Sequence, residues 1–237
     1  MMSPTEESDV PSAAIARQLA AVRARIRAAE TRAGRAPGSV TLLAVSKGQP
    51  APRLAAAHAA GQTAFGESYL NEALEKIAAL APRALEWHFI GRVQSNKTRA
   101  LATHFAWLHS LADVTHARRL NDQRPPELPP LNVCIQINIA GEARKAGLAP
   151  AAVADFIAAV RPLPRLWLAG LMTLPPETAD EAAQRAPFAA LRALRDRLAT
   201  PELPLATLSM GMSQDLEAAI AEGATLVRVG TALFGAR

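Results

Sequence analysis

The chain has 237 residues, half of them hydrophobic and a fifth charged, an ordinary globular balance whose length suits one large domain or two small ones. Its single cysteine, Cys134, excludes an intramolecular disulfide, and no leader-like or bilayer-spanning apolar run is present, so a soluble, cytoplasmic protein with no membrane partner is expected. The net charge of +5 raises nucleic acid as a partner, but the arginines are spread along helical segments and no basic–aromatic alternation suited to base stacking occurs; nucleic acid is set aside.

Residues 1–12 read as a disordered tail. Ile15, Leu19, Val22 and Ile26 then mark the apolar stripe of a helix, with Arg23, Arg25, Arg27, Arg32 and Arg35 on its solvated side. Eight short apolar runs follow: 41–46, 63–67, 86–91, 105–111, 131–139, 166–174, 206–211 and 225–235. Cys134, in the fifth, reads as a small core residue. Ala-, Leu- and Glu-rich helical pieces separate the runs. Strands alternating with helices imply parallel βαβ units, and eight in one series imply a single closed (β/α)8 TIM barrel with an extra N-terminal helix. The breaker cluster "DQRPPELPP" (122–130) reads as a long connection into the fifth strand, not a boundary. A single domain over 13–237 is therefore expected, with no room for a second after "LFGAR".

Side-chain alternation in the first strand puts Thr41, Leu43, Val45 and then Lys47 toward the barrel interior, with the lysine at the C-terminal mouth where sites of this fold lie. Lys47 is either a nucleophilic amine or a strand-end lysine reaching water. Val227 and Val229 belong under the helices, so Arg228 turns inward, where it either pairs with Glu67 or meets a ligand. In "TLSMGMSQDL", Ser213 is placed to cap the next helix, while Ser209 and Gly211 exceed what a cap needs. Gly230 and Thr231 end the eighth strand. Hydroxyl-and-glycine loops after strands seven and eight of such a barrel suit a phosphate, provided that Asp215 and Glu217 point away. An amine and a phosphate cradle at one mouth fit a phosphorylated aldehyde. Pyridoxal 5′-phosphate (PLP) is one, and its ring nitrogen usually has an Asp or Arg partner.

The segments "LLAVSK", "FGESYLNEALEKI", "EWHFIGRVQSNK", "LAGLMTLP" and "LSMGMSQDLEAAIAEGATLVRVGTALFGAR", in that order from about Leu42 to Arg237, closely resemble the PLP homeostasis protein family, the YggS/PROSC group. The resemblance implies a barrel similar to the N-terminal domain of alanine racemase. It implies PLP held as a Schiff base on Lys47, its phosphate against Ser209, Met210, Ser213, Gly230 and Thr231, and Arg228 facing the pyridine nitrogen. Ser68 stands where the family often has an asparagine, and remains able to cap the following helix. Lys145 matches a family lysine but reads as a solvated loop residue; His88, Gln94 and Asn96 read as a packed histidine and a capped helix.

The function implied is buffering or delivery of PLP, possession without turnover, with PLP-dependent apo-enzymes as recipients and a monomer as the state. The alternative is a racemase-like PLP enzyme. A two-base racemase needs an acid–base group on each ring face, and Tyr69, the chain's one tyrosine, follows the second strand and has no assignable role of that kind.

Overall fold

Each apolar run becomes a strand, usually trimmed at its ends. The computed structural model describes residues 4–142 and 146–235, with side chains from Ser12 onward. Helix α1 (Pro4–Arg32) precedes β1 (Thr41–Val45), α2 (Ala51–Ala59), β2 (Ala64–Glu67), α3 (Leu70–Ala79) and β3 (Glu86–Phe89). Next come α4 (Thr98–His104), β4 (Trp107–Leu111), α5 (Val114–Gln123) and β5 (Leu131–Gln136). The series ends with α6 (Val153–Val160), β6 (Leu166–Met172), α7 (Glu181–Leu198), β7 (Thr207–Ser209), α8 (Leu216–Ala221), β8 (Leu226–Val229) and α9 (Thr231–Phe234). All strand pairs are parallel and run in chain order. The sheet closes where Leu42 and Ala44 of β1 register with Val227 and Val229 of β8. It is a (β/α)8 barrel.

The last apolar run extends to residue 235, yet β8 stops at Val229 and the chain turns at Gly230 into α9. The Pro-rich cluster is the expected connection. Arg124, buried at its start, donates to the carbonyls of Ala102 and Phe105 (both 2.7 Å) and Pro129 (2.8 Å) and so stitches the loop down.

Strand alternation sorts the core into two regions. Phe65, Trp87, Phe89, Leu108, Val133, Leu208, Val227 and Val229 face outward and pack with the helices in one continuous apolar shell. Inside the barrel, a small separate cluster joins Leu43, Ala64 and Leu226, with Ile90 against it. Gly66 makes that cluster possible: a Cβ there would lie 3.2 Å from the Leu43 side chain. Burying a leucine in either region is worth roughly 1.5–3 kcal/mol.

The stripe of α1 is buried as its spacing requires. Its arginines, however, are not all a solvated face. Arg23 donates to the carbonyls of Ala60 (3.2 Å) and Gly61 (2.7 Å). Arg25 forms a two-pronged pair with Glu217 (both 2.8 Å) and donates to the Ser213 carbonyl (3.0 Å). Beyond the helix, Arg35 donates to the carbonyls of Ile220 and Ala224. Among the described residues no helix is long and apolar enough to cross a membrane.

Candidate functional site

The C-terminal mouth of the barrel opens into a cavity of about 500 Å³. Val45 and Lys47 line it, as the alternation of β1 requires. The turn that carries Lys47 is held from behind. Ser46 donates from Oγ to Glu67 Oε1 (2.6 Å), and Lys76 Nζ donates to the Ser46 carbonyl (2.7 Å), Glu67 Oε1 (2.7 Å) and Glu72 Oε1 (2.5 Å). The amide of Gly48, at φ +73°, donates to Glu72 Oε1 (2.6 Å). Burial raises the Glu67 carboxyl above its ordinary range, against the hydrogen bonds from Lys76 and Ser46 that lower it.

That arrangement corrects one expectation. Glu67 does not pair with Arg228. Phe65 and Glu67 share the parity of the outer face, so Glu67 lies under α3 with Lys76 while Arg228 points into the barrel. Arg228 lines the cavity, 4% exposed, and donates only to neutral oxygens: from Nη1 to the Ser209 carbonyl (2.6 Å) and Oγ (2.8 Å), and from Nη2 to the Thr173 carbonyl (2.8 Å). Burial lowers its pKa to about 10, opposed by the charge of Asp215. Cys134 is the buried core residue expected, its thiol pushed up to about 12 by desolvation.

Of the residues expected at a phosphate, Ser213, Gly230 and Thr231 lie on the cavity wall. Ser209 and Met210 do not. The Met210 side chain is fully buried in the outer shell, because its parity matches Leu208, and its amide donates to Leu226 O (3.1 Å). Ser209 faces inward but sits beneath the wall, fully buried, its hydroxyl taken by Arg228 and by His109 Nδ1 (2.8 Å). It supports Arg228 rather than a ligand.

Ser213 is not the helix cap. The position before α8 is Asp215, whose Oδ1 accepts from the Met212 amide (2.5 Å). The Ser213 hydroxyl instead accepts from the Ala232 amide (3.3 Å), joining the β7–α8 loop to the start of α9. Gly211, at φ +92°, is needed against the following helix, α8: a Cβ would sit 2.5 Å from Ala219 Cβ. Glu217 points away to Arg25, as a phosphate reading requires, whereas Asp215 stays on the wall.

Sequence reasoning left out Gln49, Ile90, Met172, Glu177, Thr178, Gln184 and Met212, which also line the cavity. Several come from the loop after β6, where no periodicity announces them. Ser68 is on the wall too, and Tyr69, not Ser68, occupies the position before α3. Tyr69 is 58% exposed and is not among the lining residues. Gln94 and Asn96 are exposed, and Lys145 lies outside the described residues.

A cavity of this size takes a small aromatic ligand. Its donor set suits one with an aldehyde at one end and an anion at the other: an amine from Lys47, hydroxyls from Ser213 and Thr231, close backbone at Gly230, and a cation from Arg228. This is the class of barrel to which the comparisons point. Residues 18–237 match the family model described as alanine racemase, N-terminal domain. The alanine racemase of Corynebacterium glutamicum shares the fold at a TM-score of 0.67 and 20% identity, over 95% of this chain and 61% of that one. Much nearer is the pyridoxal phosphate homeostasis protein of Pseudomonas aeruginosa, 58% identical over 94% of this chain and 96% of the relative. The structure of PipY from Synechococcus elongatus with PLP bound superposes at a TM-score of 0.81 and 38% identity, over 93% of this chain and all of that one. The chain belongs to the pyridoxal phosphate homeostasis protein family.

Proposed function

We propose that this protein binds PLP in the mouth cavity and serves intracellular PLP homeostasis by holding or releasing the cofactor without turning over a substrate. The observation that carries the reading is that Lys47, Arg228 and the loops after β7 and β8 share one cavity. When bound, PLP supplies an aldehyde that condenses with a primary amine and a ring that withdraws electrons. Lys47 would provide the amine, on a turn fixed by Lys76, Glu67 and Glu72. Ser213, Gly230 and Thr231 would take the phosphate. Arg228, which can only donate, would present N–H to the ring nitrogen and keep a proton off it, weakening the electron withdrawal that PLP enzymes exploit.

The relatives' names support a homeostasis role rather than a catalytic one. The exposed position of Tyr69 supports it too, since a racemase needs an acid–base group on each ring face. A cytoplasmic monomer passing PLP to apo-enzymes, with one binding barrel over 13–237, completes the proposal; residues 4–12, expected as part of a disordered tail, instead form the start of α1. The test is the visible absorption spectrum after adding PLP, wild type beside Lys47→Ala. A band in the wild type that the variant lacks is the expected result; no band in either overturns the assignment.

A further inference from the structure

A file of polar side chains crosses the barrel interior below the cavity. From Arg228 it passes to Ser209 Oγ (2.8 Å), then to His109 Nδ1 (2.8 Å). His109 Nε2 meets His88 Nδ1 at 2.9 Å, and His88 Nε2 meets Glu86 Oε1 at 2.8 Å. Arg228, Ser209, His109 and His88 are all buried, while Glu86, the first residue of β3, is half exposed at the opposite end of the barrel. The His88 ring stacks on Trp107, with centroids 5.4 Å apart and planes 3° from parallel.

The hydrogen-bond directions follow from the two ends. An arginine can only donate, so Ser209 Oγ accepts from Arg228. An ionised carboxylate can only accept, so His88 donates from Nε2 to Glu86. Hydrogen bonding to His88 lowers the Glu86 pKa, and desolvation holds both imidazoles below their ordinary range, His109 well below it. With neutral rings, His88 Nδ1 is bare and accepts from His109 Nε2–H. His109 Nδ1 is then bare and accepts the Ser209 hydroxyl proton.

We propose that Ser209, His109, His88 and Glu86 form a one-way relay of hydrogen bonds that orients Arg228 as a charged donor toward the cavity and anchors it on a carboxylate at the far end of the barrel. The relay residues are positioning residues. None of them lines the cavity, and what Arg228 faces rests on the PLP reading above. Other groups act on the same chain. Asp215, from the β7–α8 loop, acts on Arg228 through space and the Arg228 charge depresses His109, while the Cys134 thiol of β5 is uncharged. Asp215 is already bonded to the Met212 amide.

Imidazole 15N–1H NMR on the full-length protein without PLP tests the relay. Both rings are expected as neutral Nε2–H tautomers that do not titrate between about pH 6 and pH 8. In Glu86→Gln, where an amide oxygen still accepts but the charge is gone, the Nε2–H protons of His88 and His109 should both shift toward weaker hydrogen bonding. An imidazolium at His88, a proton on His109 Nδ1, or a Glu86→Gln spectrum in which His109 is unmoved would overturn the proposal. Addition of PLP to the same samples separates the two readings. A shifted absorption band in Glu86→Gln, but not in the exposed control Glu202→Gln, is expected. If the tautomers are as stated and PLP gives no band at all, the relay stands and the cofactor assignment falls. If the band forms unshifted in Glu86→Gln, the relay does not govern Arg228.

Discussion

The two faces of the same barrel wall are built on opposite principles. Outward, the strands present an apolar shell, interrupted by the Glu67–Lys76 pair, both members nearly fully buried. Inward, where barrels of this fold usually stack branched aliphatic side chains in layers, the small apolar cluster of Leu43, Ala64, Leu226 and Ile90 shares the interior with Arg228, Ser209, His109 and His88. A buried polar group costs folding energy unless it is bonded, and each of these is bonded. The outer face is what makes the chain fold, and the inner face trades packing for a charged group held at one place beneath the cavity.

The largest test of this division is Lys76→Met. Removing the ammonium leaves the Glu67 carboxyl buried without its partner, so stability should fall by about 3–5 kcal/mol in denaturant unfolding. The double variant with Glu67→Gln should recover part of the loss. A cost near zero would mean that the outer face does not depend on this charged interruption. Acid is the next probe, and it acts on the inner face. His88 and His109 stay neutral in the fold while an unfolded histidine protonates near about pH 6.5. Their contribution is therefore intact above that pH and is lost as the pH falls, by up to about 1.4 kcal/mol per pH unit for each ring. Urea midpoints between about pH 7 and pH 5 measure it, and a flat profile would show that the rings are charged in the fold. The smallest expected effect sharpens the boundary between the faces. Met210→Leu alters a residue on the outer face next to the cavity loop, so it should cost less than about 1.5 kcal/mol and leave the PLP affinity unchanged.

The barrel was legible because each strand is a short apolar run and each connection carries helix-forming residues; eight such units in series leave little choice of topology. Lys47 and Arg228 were legible from strand parity. The same rule, applied to β2, would have placed Glu67 with Phe65 on the outer face, and applied to the pair Leu208–Met210 would have kept Met210 off the wall. His88 and His109 also carried a signal: each falls at inward parity on consecutive strands, His88 between outward Trp87 and Phe89 and His109 directly after outward Leu108. The residues from the loop after β6 carried none. Thr178 and Gln184 reach the wall because of how a loop and the start of α7 fold back, which neither period nor composition encodes. Ser213 illustrates the limit of a local rule, since its capping chemistry was real but a tertiary contact with Ala232 claimed it.

Helix α1 is made before any strand, yet its partners lie near the other end of the chain: Arg25 reaches Ser213 and Glu217, 188 and 192 residues later. It packs on α2, α8 and α9, across the seam where β8 returns to β1. During synthesis its apolar stripe of Ile15, Leu19, Val22 and Ile26 can meet α2 early but has to wait for the last βα unit before it is fully covered. The helix works as a clasp, fastened only once the ring is complete, and the loop carrying Ser213 is fastened with it.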